Sequence, residues 1–348
     1  MKAVLIGAGA IAREHIGALQ SVPGVEVAGI CDLSPVMAEA TAEQFRIPRW
    51  FTDHKKMLQE LVPELVHVPT PPSSHVRLAT DALESGAHVL VEKPITHELA
   101  EMETLLELAA RRGRTIVEDH NYLFNSPVTR LLAMRASGEL GEVVHVHVTF
   151  HLAILGKGSR YVDPDVPHPC ASGPGGAIAD FVTHLAYLAH AFAGPSRGVQ
   201  VAWRKRAESP LPADELRALV DGEGASALLE FSSNAQPDGF WIEVHGTKLR
   251  ARASLFDPLL AIESVRAGAR PLIPVKNAIA VATEHVTAGI GGLKRKLSGK
   301  PMSYEGLYEL VRRTVHAVRT SSRPPVEPAA IREVNTLVHR ILQSRKAA

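Results

Sequence analysis

The sequence predicts an α/β chain in two parts: a doubly wound parallel sheet, followed by an α+β domain built on a large, mostly antiparallel, open-faced sheet. Three observations carry this. Apolar strand-like segments at 2–6, 25–31, 65–68, 88–91 and 114–118 alternate with helical patterns near 35–45, 53–61, 74–85 and 97–112, the rhythm of parallel strands joined by helices. The first strand runs directly into a glycine-rich turn and a helical stretch. After Asn121 the rhythm stops, and strand candidates at 198–206, 216–221, 225–232, 239–245 and 248–255 are separated by turn residues instead of helices. The predicted domains are therefore 1–122 and 123–348, with the last helix as an element that could pack back onto the first.

The opening turn reads Gly7-Ala8-Gly9-Ala10-Ile11-Ala12 between a strand at 2–6 and a helix at 11–20. This is the Gly-x-Gly-x-x-Ala dinucleotide fingerprint in the strand-turn-helix setting it requires. Gly7 permits the tight turn, Gly9 lets a pyrophosphate approach the backbone, and Ala12 is small enough for helix and strand to pack closely. The anion then meets unpaired N–H groups at the helix start, alongside Ala10 and Ile11. The second strand ends at Asp32, placed to accept hydrogen bonds from the adenosine ribose hydroxyls. A carboxylate there repels a 2′-phosphate, and Leu33, Ser34, Pro35 and Val36 supply no offsetting cation. The predicted cofactor is NAD rather than NADP, with Arg46 and Arg49 as the cations farther along that could oppose this.

Residues 85–94 read Ser-Gly-Ala-His-Val-Leu-Val-Glu-Lys-Pro. A buried strand here ends abruptly in Glu92, Lys93 and Pro94, at the carboxyl edge where open α/β sheets gather their ligands. Pro94 fixes its own φ and biases Lys93 toward extended backbone. A lysine so placed is a candidate for chemistry, although a solvated Lys-Pro turn would read the same way.

The second half contains a helix at 128–137 and a strictly alternating segment at 143–150. The alternation puts Val144, Val146, Val148 and Phe150 on one face and His145, His147, Thr149 and His151 on the other. That histidine stripe lacks a third convergent ligand, so it reads as a polar sheet face, and no metal is expected. Gly175-Gly176 opens a helix carrying Asp180 and His184 four residues apart on one face, with Tyr187 on the same stripe. A carboxylate beside an imidazole favours and orients the protonated ring, which suits a general acid/base, but it also describes an ordinary helix-surface ion pair. The segment 275–300, apolar and then basic at Lys294-Arg295-Lys296, reads as a helix covering the second domain.

With 348 residues, 45% hydrophobic and 22% charged, the chain can fill two cores. A net charge of +1 gives no footprint for nucleic acid. No apolar run approaches the roughly 18 residues of a membrane span. Cleavage after the short apolar start would remove the nucleotide turn, and Cys31 and Cys170 read as reduced thiols, so the expected location is cytoplasmic.

Together, Gly7 to Ala12, Asp32, Glu92-Lys93-Pro94 and Gly175-Gly176 with Asp180 and His184 resemble the glucose-fructose oxidoreductase and inositol dehydrogenase family, Gfo/Idh/MocA. The likeness extends to Val68-Pro69-Thr70-Pro71-Pro72-Ser73-Ser74-His75, similar to the family's loop after the fourth strand, and to Pro324-Pro325-Val326 before the last helix. It implies a Rossmann domain holding NAD, with Thr70, Pro71, His75, Glu92 and Lys93 joining the fingerprint residues around the cofactor. It further implies that Lys93, Asp180 and His184 meet at the nicotinamide. The chemistry would be hydride transfer between a secondary alcohol of a sugar, polyol or nucleotide sugar and the nicotinamide C4. His184 is the expected base, Asp180 its orienting partner and Lys93 the cation at the developing alkoxide, with the roles of Lys93 and His184 exchangeable. Asn121, Tyr122, Arg160, Tyr161 and His168 are candidate contacts to a small polar substrate. The family's arginine in a pattern like Asn-x-Arg-Phe is replaced here, since Asn121-Tyr122-Leu123-Phe124 has leucine. A homodimer or homotetramer is expected through the open sheet face, with neither nucleic acid nor membrane as partner. The alternative is a non-catalytic NAD- and sugar-sensing regulator on the same fold, which has no need of all three of Lys93, Asp180 and His184.

Overall fold

A computed structural model describes residues 1–156, 158–159, 161–163, 165, 168, 175–209, 211–256, 259–264, 272–297 and 304–345. Contacts divide the chain into two units, Met1–Asn121 with Gly306–Asn335, and Tyr122–Glu305 with Thr336–Ala348. Residues 306–335 thus group with the first unit, whereas the sequence boundary left them with the second.

The first unit is a six-stranded parallel sheet built from β1 (Lys2–Ile6), β2 (Glu26–Cys31), β3 (Trp50–Phe51), β4 (Leu65–Val68), β5 (His88–Val91) and β6 (Ile116–Glu118). Its order is β3-β2-β1-β4-β5-β6. Helices α1 (Ala12–Gln20), α2 (Pro35–Phe45), α3 (His54–Leu61), α4 (His75–Glu84) and α5 (Leu99–Arg112) make the crossovers. The central strands are apolar throughout because helices cover both faces: Val4, Leu5, Val66, Val89 and Leu90 are completely buried. Local chemistry sets the helix ends. Ser34 caps α2, whose first residue is Pro35, Asp53 caps α3, and Gly113 closes α5 in the left-handed conformation at φ 60°. Among the six strands of this sheet, β3 is the one without a sequence signal, because two residues carry no periodicity. Chain order reverses between β1 and β4, the switch point at which such sheets open a crevice. Two further helices complete the chain, α9 (Glu305–Thr320) and α10 (Pro328–Ser344). Arg332 of α10 binds Glu103 of α5 at 2.8 Å.

The second unit is a seven-stranded sheet in the order β13-β12-β11-β7-β10-β9-β8, with β7 (Val143–His151) at its centre. The others are β8 (Ser196–Arg204), β9 (Glu215–Gly222), β10 (Ser226–Ser232), β11 (Gly239–Gly246), β12 (Leu249–Ser254) and β13 (Leu259–Ser264). Every pairing is antiparallel except β7 with β10, which runs parallel. One face packs on α7 (Ile178–Ala193) through aromatic rings, with Phe150 stacked on Phe240 at 4.3 Å and Phe181 on Phe231 at 5.2 Å. Val146, Val148 and Phe150 are buried on this side, while Val144 is 56% exposed. On the opposite face, Glu230 of β10 lies between two histidines of β7, its oxygens 3.2 Å from His147 Nε2 and 3.0 Å from His151 Nε2. Arg217 adds a third contact at 2.9 Å. The sequence left the histidine stripe without a partner because only strand register brings Glu230 opposite Thr149. Helix α6 (Ser126–Ala136) precedes β7, and α8 (Ile273–Leu297) lies along β13, where the Asn277 amide pairs with both backbone groups of Ser264. Among the described residues, no helix is long and apolar enough to cross a membrane.

Candidate functional site

The glycine turn sits at the carboxyl end of β1, and its residues divide by role. Gly7 has φ +118°, and a Cβ there would lie 2.8 Å from Thr70 Cγ2 and 2.9 Å from the Pro69 carbonyl oxygen. Only glycine fits, because both the backbone angle and the adjacent loop exclude a side chain. Gly9 differs: a Cβ there would meet nothing within 4 Å, and Gly9 and Ala10 are exposed. That clear space beside the start of α1, just before Ile11 and the fully buried Ala12, suits a pyrophosphate. Asp32, ending β2, is oriented by two peptide donors, Ala8 N to Oδ2 at 2.8 Å and Ser34 N to Oδ1 at 2.9 Å. These bonds tie it to the turn and leave lone pairs for ribose hydroxyls. Arg49 is engaged elsewhere, bound to Glu60 and stacked over Phe51 at 4.8 Å. Arg46 ends α2 as its left-handed cap. The residues present therefore fit a dinucleotide.

The loop after β4 places Thr70 and Pro71 beside this turn, with Ser74 Oγ donating to Thr70 Oγ1 at 2.7 Å. His75 is completely buried, and its ring nitrogens lie 2.7 Å from the Thr70 carbonyl and 3.0 Å from the Pro94 carbonyl. Its ring thus braces two loops from within. Burial pulls the His75 pKa below its ordinary value, against the opposing effect of those carbonyls.

The Glu-Lys-Pro turn is fixed at consecutive backbone points. The Lys93 N–H donates to Glu92 Oε2 at 3.0 Å, the Pro94 carbonyl faces His75, and the Ile95 N–H donates to Glu118 Oε1 at 2.8 Å. The Lys93–Pro94 peptide is cis. Glu118 is itself buried and also accepts from Asn335 Nδ2 at 2.7 Å, with His120 Nε2 at 3.0 Å. Lys93 remains partly exposed at the carboxyl end of β5. Glu92 points inward: its Oε1 lies 3.3 Å from His15 Nε2. Burial works to raise the Glu92 pKa, but the His15 hydrogen bond and charge, with Lys93, hold it below the usual carboxylate range. Asp119 is pushed the other way, by burial and then by the neighbouring Glu92 charge. The sequence reading passed over His15, His67, Glu118 and Asp119. The signal was present at 116–120, an apolar strand running into Glu-Asp-His as β5 runs into Glu-Lys-Pro.

Within the second unit, the structure gathers most of the residues predicted to meet substrate. Asp180 and His184 are one turn apart on α7. Asp180 Oδ2 accepts a 2.5 Å hydrogen bond from the Tyr161 hydroxyl and lies 3.9 Å from His168 Nε2. The Tyr161 and His168 rings are 4.5 Å apart. His184 Nδ1 is 2.9 Å from the Tyr187 hydroxyl, which also accepts from Tyr122 N–H at 3.2 Å. The Tyr122 ring meets His184 edge-on at 5.0 Å. Tyr187, which the sequence placed on the same stripe of α7, is thus the partner at His184 Nδ1. Asn121 is buried in the turn after β6, in the first unit. Arg160, predicted as a substrate contact, and Cys170 lie outside the described residues.

Residues 1–120 match the oxidoreductase family with an NAD-binding Rossmann fold, and residues 128–252 match the C-terminal domain of Gfo/Idh/MocA proteins. The chain belongs to the Gfo/Idh/MocA family. An uncharacterised oxidoreductase of Rhizobium meliloti is 33% identical over 177 residues, 51% of each chain. A protein of Haloferax volcanii named D-xylose 1-dehydrogenase (NADP(+)) 2 is 26% identical over 73% of this chain and 78% of its own. The chain thus spans about half the length of the first of these relatives. A crystal structure of an oxidoreductase from Agrobacterium radiobacter, with NAD+, L-tartaric acid and magnesium, superimposes with a TM-score of 0.80 at 17% identity, covering 99% of this chain and 96% of that one. At that identity the likeness concerns the fold, including the parallel sheet and the seven-stranded sheet found here.

Proposed function

We propose that this Gfo/Idh/MocA protein is an NAD-dependent oxidoreductase that exchanges a hydride with a secondary alcohol of a sugar, polyol or nucleotide sugar. The observation that carries the reading is the Glu-Lys-Pro turn at the carboxyl end of β5, whose backbone is clamped on both sides of Lys93 by Glu92, His75 and Glu118. So much buried polar structure holding the backbone of one partly exposed lysine is the support expected for a catalytic group. When bound, NAD supplies the hydride acceptor, and Gly7, Gly9, Ala10, Ile11, Ala12, Asp32, Thr70 and Pro71 would hold it.

The carbinol O–H must lose its proton as the C–H leaves as hydride. His184 takes that proton at Nε2, which requires the tautomer in which Nδ1–H donates to the Tyr187 hydroxyl. Lys93 stabilises the alkoxide as it forms. Asp180 forms a polar group with Tyr161 and His168, and Tyr122, Asn121 and Arg160 remain proposed as further substrate contacts. A homo-oligomer assembled through the histidine-bearing sheet face completes the proposal. Asp32 favours NAD over NADP, in contrast to the NADP(+) in the name of the Haloferax relative.

The experiment is an absorbance assay for NADH formation with a panel of sugars, inositols and nucleotide sugars. Turnover of at least one secondary alcohol is expected. Binding of NAD and sugar without turnover across the panel would overturn the reading in favour of a sensing regulator.

A further inference from the structure

Beneath the Glu-Lys-Pro turn lies a buried cluster of which the proposed chemistry uses only Glu92. His15, His67, Glu92 and Asp119 come from α1, β4, the end of β5 and the end of β6, and exposure among them reaches only 9%, at Glu92. His15 Nδ1 is 3.1 Å from His67 Nδ1, and His15 Nε2 is 3.3 Å from Glu92 Oε1 and 3.8 Å from Asp119 Oδ2. Polar groups this deeply buried are costly unless each has a defined partner.

Hydrogen-bond accounting fixes the direction of the chain. An ionised Glu92 can only accept, so His15 Nε2 carries a proton and donates it. One proton lies between the two Nδ1 atoms, and whichever ring holds it, the Nε2–H to Glu92 is unchanged. Glu92 uses its other oxygen for the Lys93 N–H. His15 is also the fourth residue of α1, the helix that opens on the glycine turn. The path therefore runs from α1 through one imidazole and one carboxylate to the peptide of the lysine.

We propose that His15 is a positioning residue: through Glu92 it holds the Lys93 peptide and locks the lysine turn to the helix that receives the dinucleotide phosphates. The inference rests on the catalytic reading of Lys93. It assigns the buried half of the Glu-Lys-Pro turn a task of its own, setting where the lysine stands. His67 supports the ring from behind at 3.1 Å, and Asp119 Oδ2 stands farther off, 3.8 Å from His15 Nε2, so Glu92 is the nearer carboxylate at the junction.

Two isosteric variants separate positioning from simple packing. A glutamine at 15 places its amide nitrogen near Nε2 and can donate to Glu92, whereas an asparagine reaches only the Nδ1 position. With the wild-type protein and a turned-over alcohol, His15→Gln should retain kcat within about threefold, while His15→Asn should lower it about tenfold or more, as a displaced catalytic group does. KM and NAD affinity should stay within about threefold in both, because the His15 side chain is completely buried. A second readout needs no turnover: in protein labelled with 15N-lysine, the Lys93 amide resonance should be preserved in His15→Gln and shifted in His15→Asn. Loss of activity in Lys93→Ala with equal kcat in the two His15 variants would overturn the inference and leave the catalytic reading standing. Near-normal turnover in Lys93→Ala would defeat that reading instead, and the amide resonance would then decide the structural link alone. One equivalent of zinc in the purified wild-type protein, lost in both variants, would overturn the inference by making His15, Glu92 and Asp119 a metal site; their ligand atoms lie within 4.8 Å of one another.

Discussion

Replacing each fingerprint glycine by alanine should give two different failures. At Gly7, the added Cβ meets Thr70 Cγ2 at 2.8 Å and the Pro69 carbonyl oxygen at 2.9 Å, on a backbone with φ +118°. The Thr70 methyl can rotate away, but the carbonyl belongs to the loop leaving β4 and cannot. Backbone strain at such a φ is worth about 1 to 3 kcal/mol, and overpacking against fixed atoms a further 1 to 3, so Gly7→Ala should destabilise the first unit by about 2 to 6 kcal/mol. At Gly9 the same methyl meets nothing within 4 Å, and stability should change by under about 1 kcal/mol. Its effect falls on the ligand, because the methyl occupies the space through which a pyrophosphate reaches the amides of α1. NAD affinity of Gly9→Ala should fall about tenfold or more, equivalent to about 1.4 kcal/mol. Urea unfolding gives the first quantity and calorimetric titration with NAD the second. A Gly9→Ala protein that binds NAD as the wild type does, or a Gly7→Ala protein of undiminished stability, would refute the reasoning.

Other consequences are equally direct. Asp32, held by Ala8 N–H and Ser34 N–H, should give about a tenfold preference for NAD over NADP, and Asp32→Ala should erode it; equal or tighter NADP binding by the wild type would be the contrary result. The hydrogen bond from His147 foremost, against burial and together with His151 and Arg217, pushes the Glu230 pKa down from 4.5 to about 2. A depressed carboxylate stabilises the fold above its ordinary pKa and loses that contribution as pH falls through its folded one. Stability should therefore drop by on the order of 3 kcal/mol between pH 4.5 and 2, a slope that Glu230→Gln should flatten in acid-unfolding curves.

Where the chain is periodic or punctuated, its sequence foretells the structure closely. Helix α2 occupies Pro35–Phe45 as expected because Ser34 caps it and Pro35 starts it. The glycine turn was equally legible, since Gly7 and Gly9 act through backbone geometry that the residue type announces. Contacts made across sequence distance were not. His15 and Glu92 are 77 positions apart, and Asn335 meets Glu118 across 217, so neither pair leaves a local trace. Glu230 stands between His147 and His151 only because β10 runs parallel to β7, a pairing that alternation cannot reveal. On α7 the spacing places Asp180, His184 and Tyr187 on one stripe, and the contact at His184 Nδ1 is made by Tyr187, three positions on. Helical spacing defines which residues share a face; rotamers select the partner.

The most direct test of the account is single-turnover hydride transfer in Lys93→Ala, His184→Ala and the double variant, each saturated with NAD and an alcohol that the wild type oxidises. Each single substitution should slow the step by roughly 10² to 10⁴ with NAD affinity little changed. The double variant should be little worse than either, because groups serving one proton transfer are not additive. Near-wild-type rates in both single variants would contradict the account and mark the Glu-Lys-Pro turn as architecture alone.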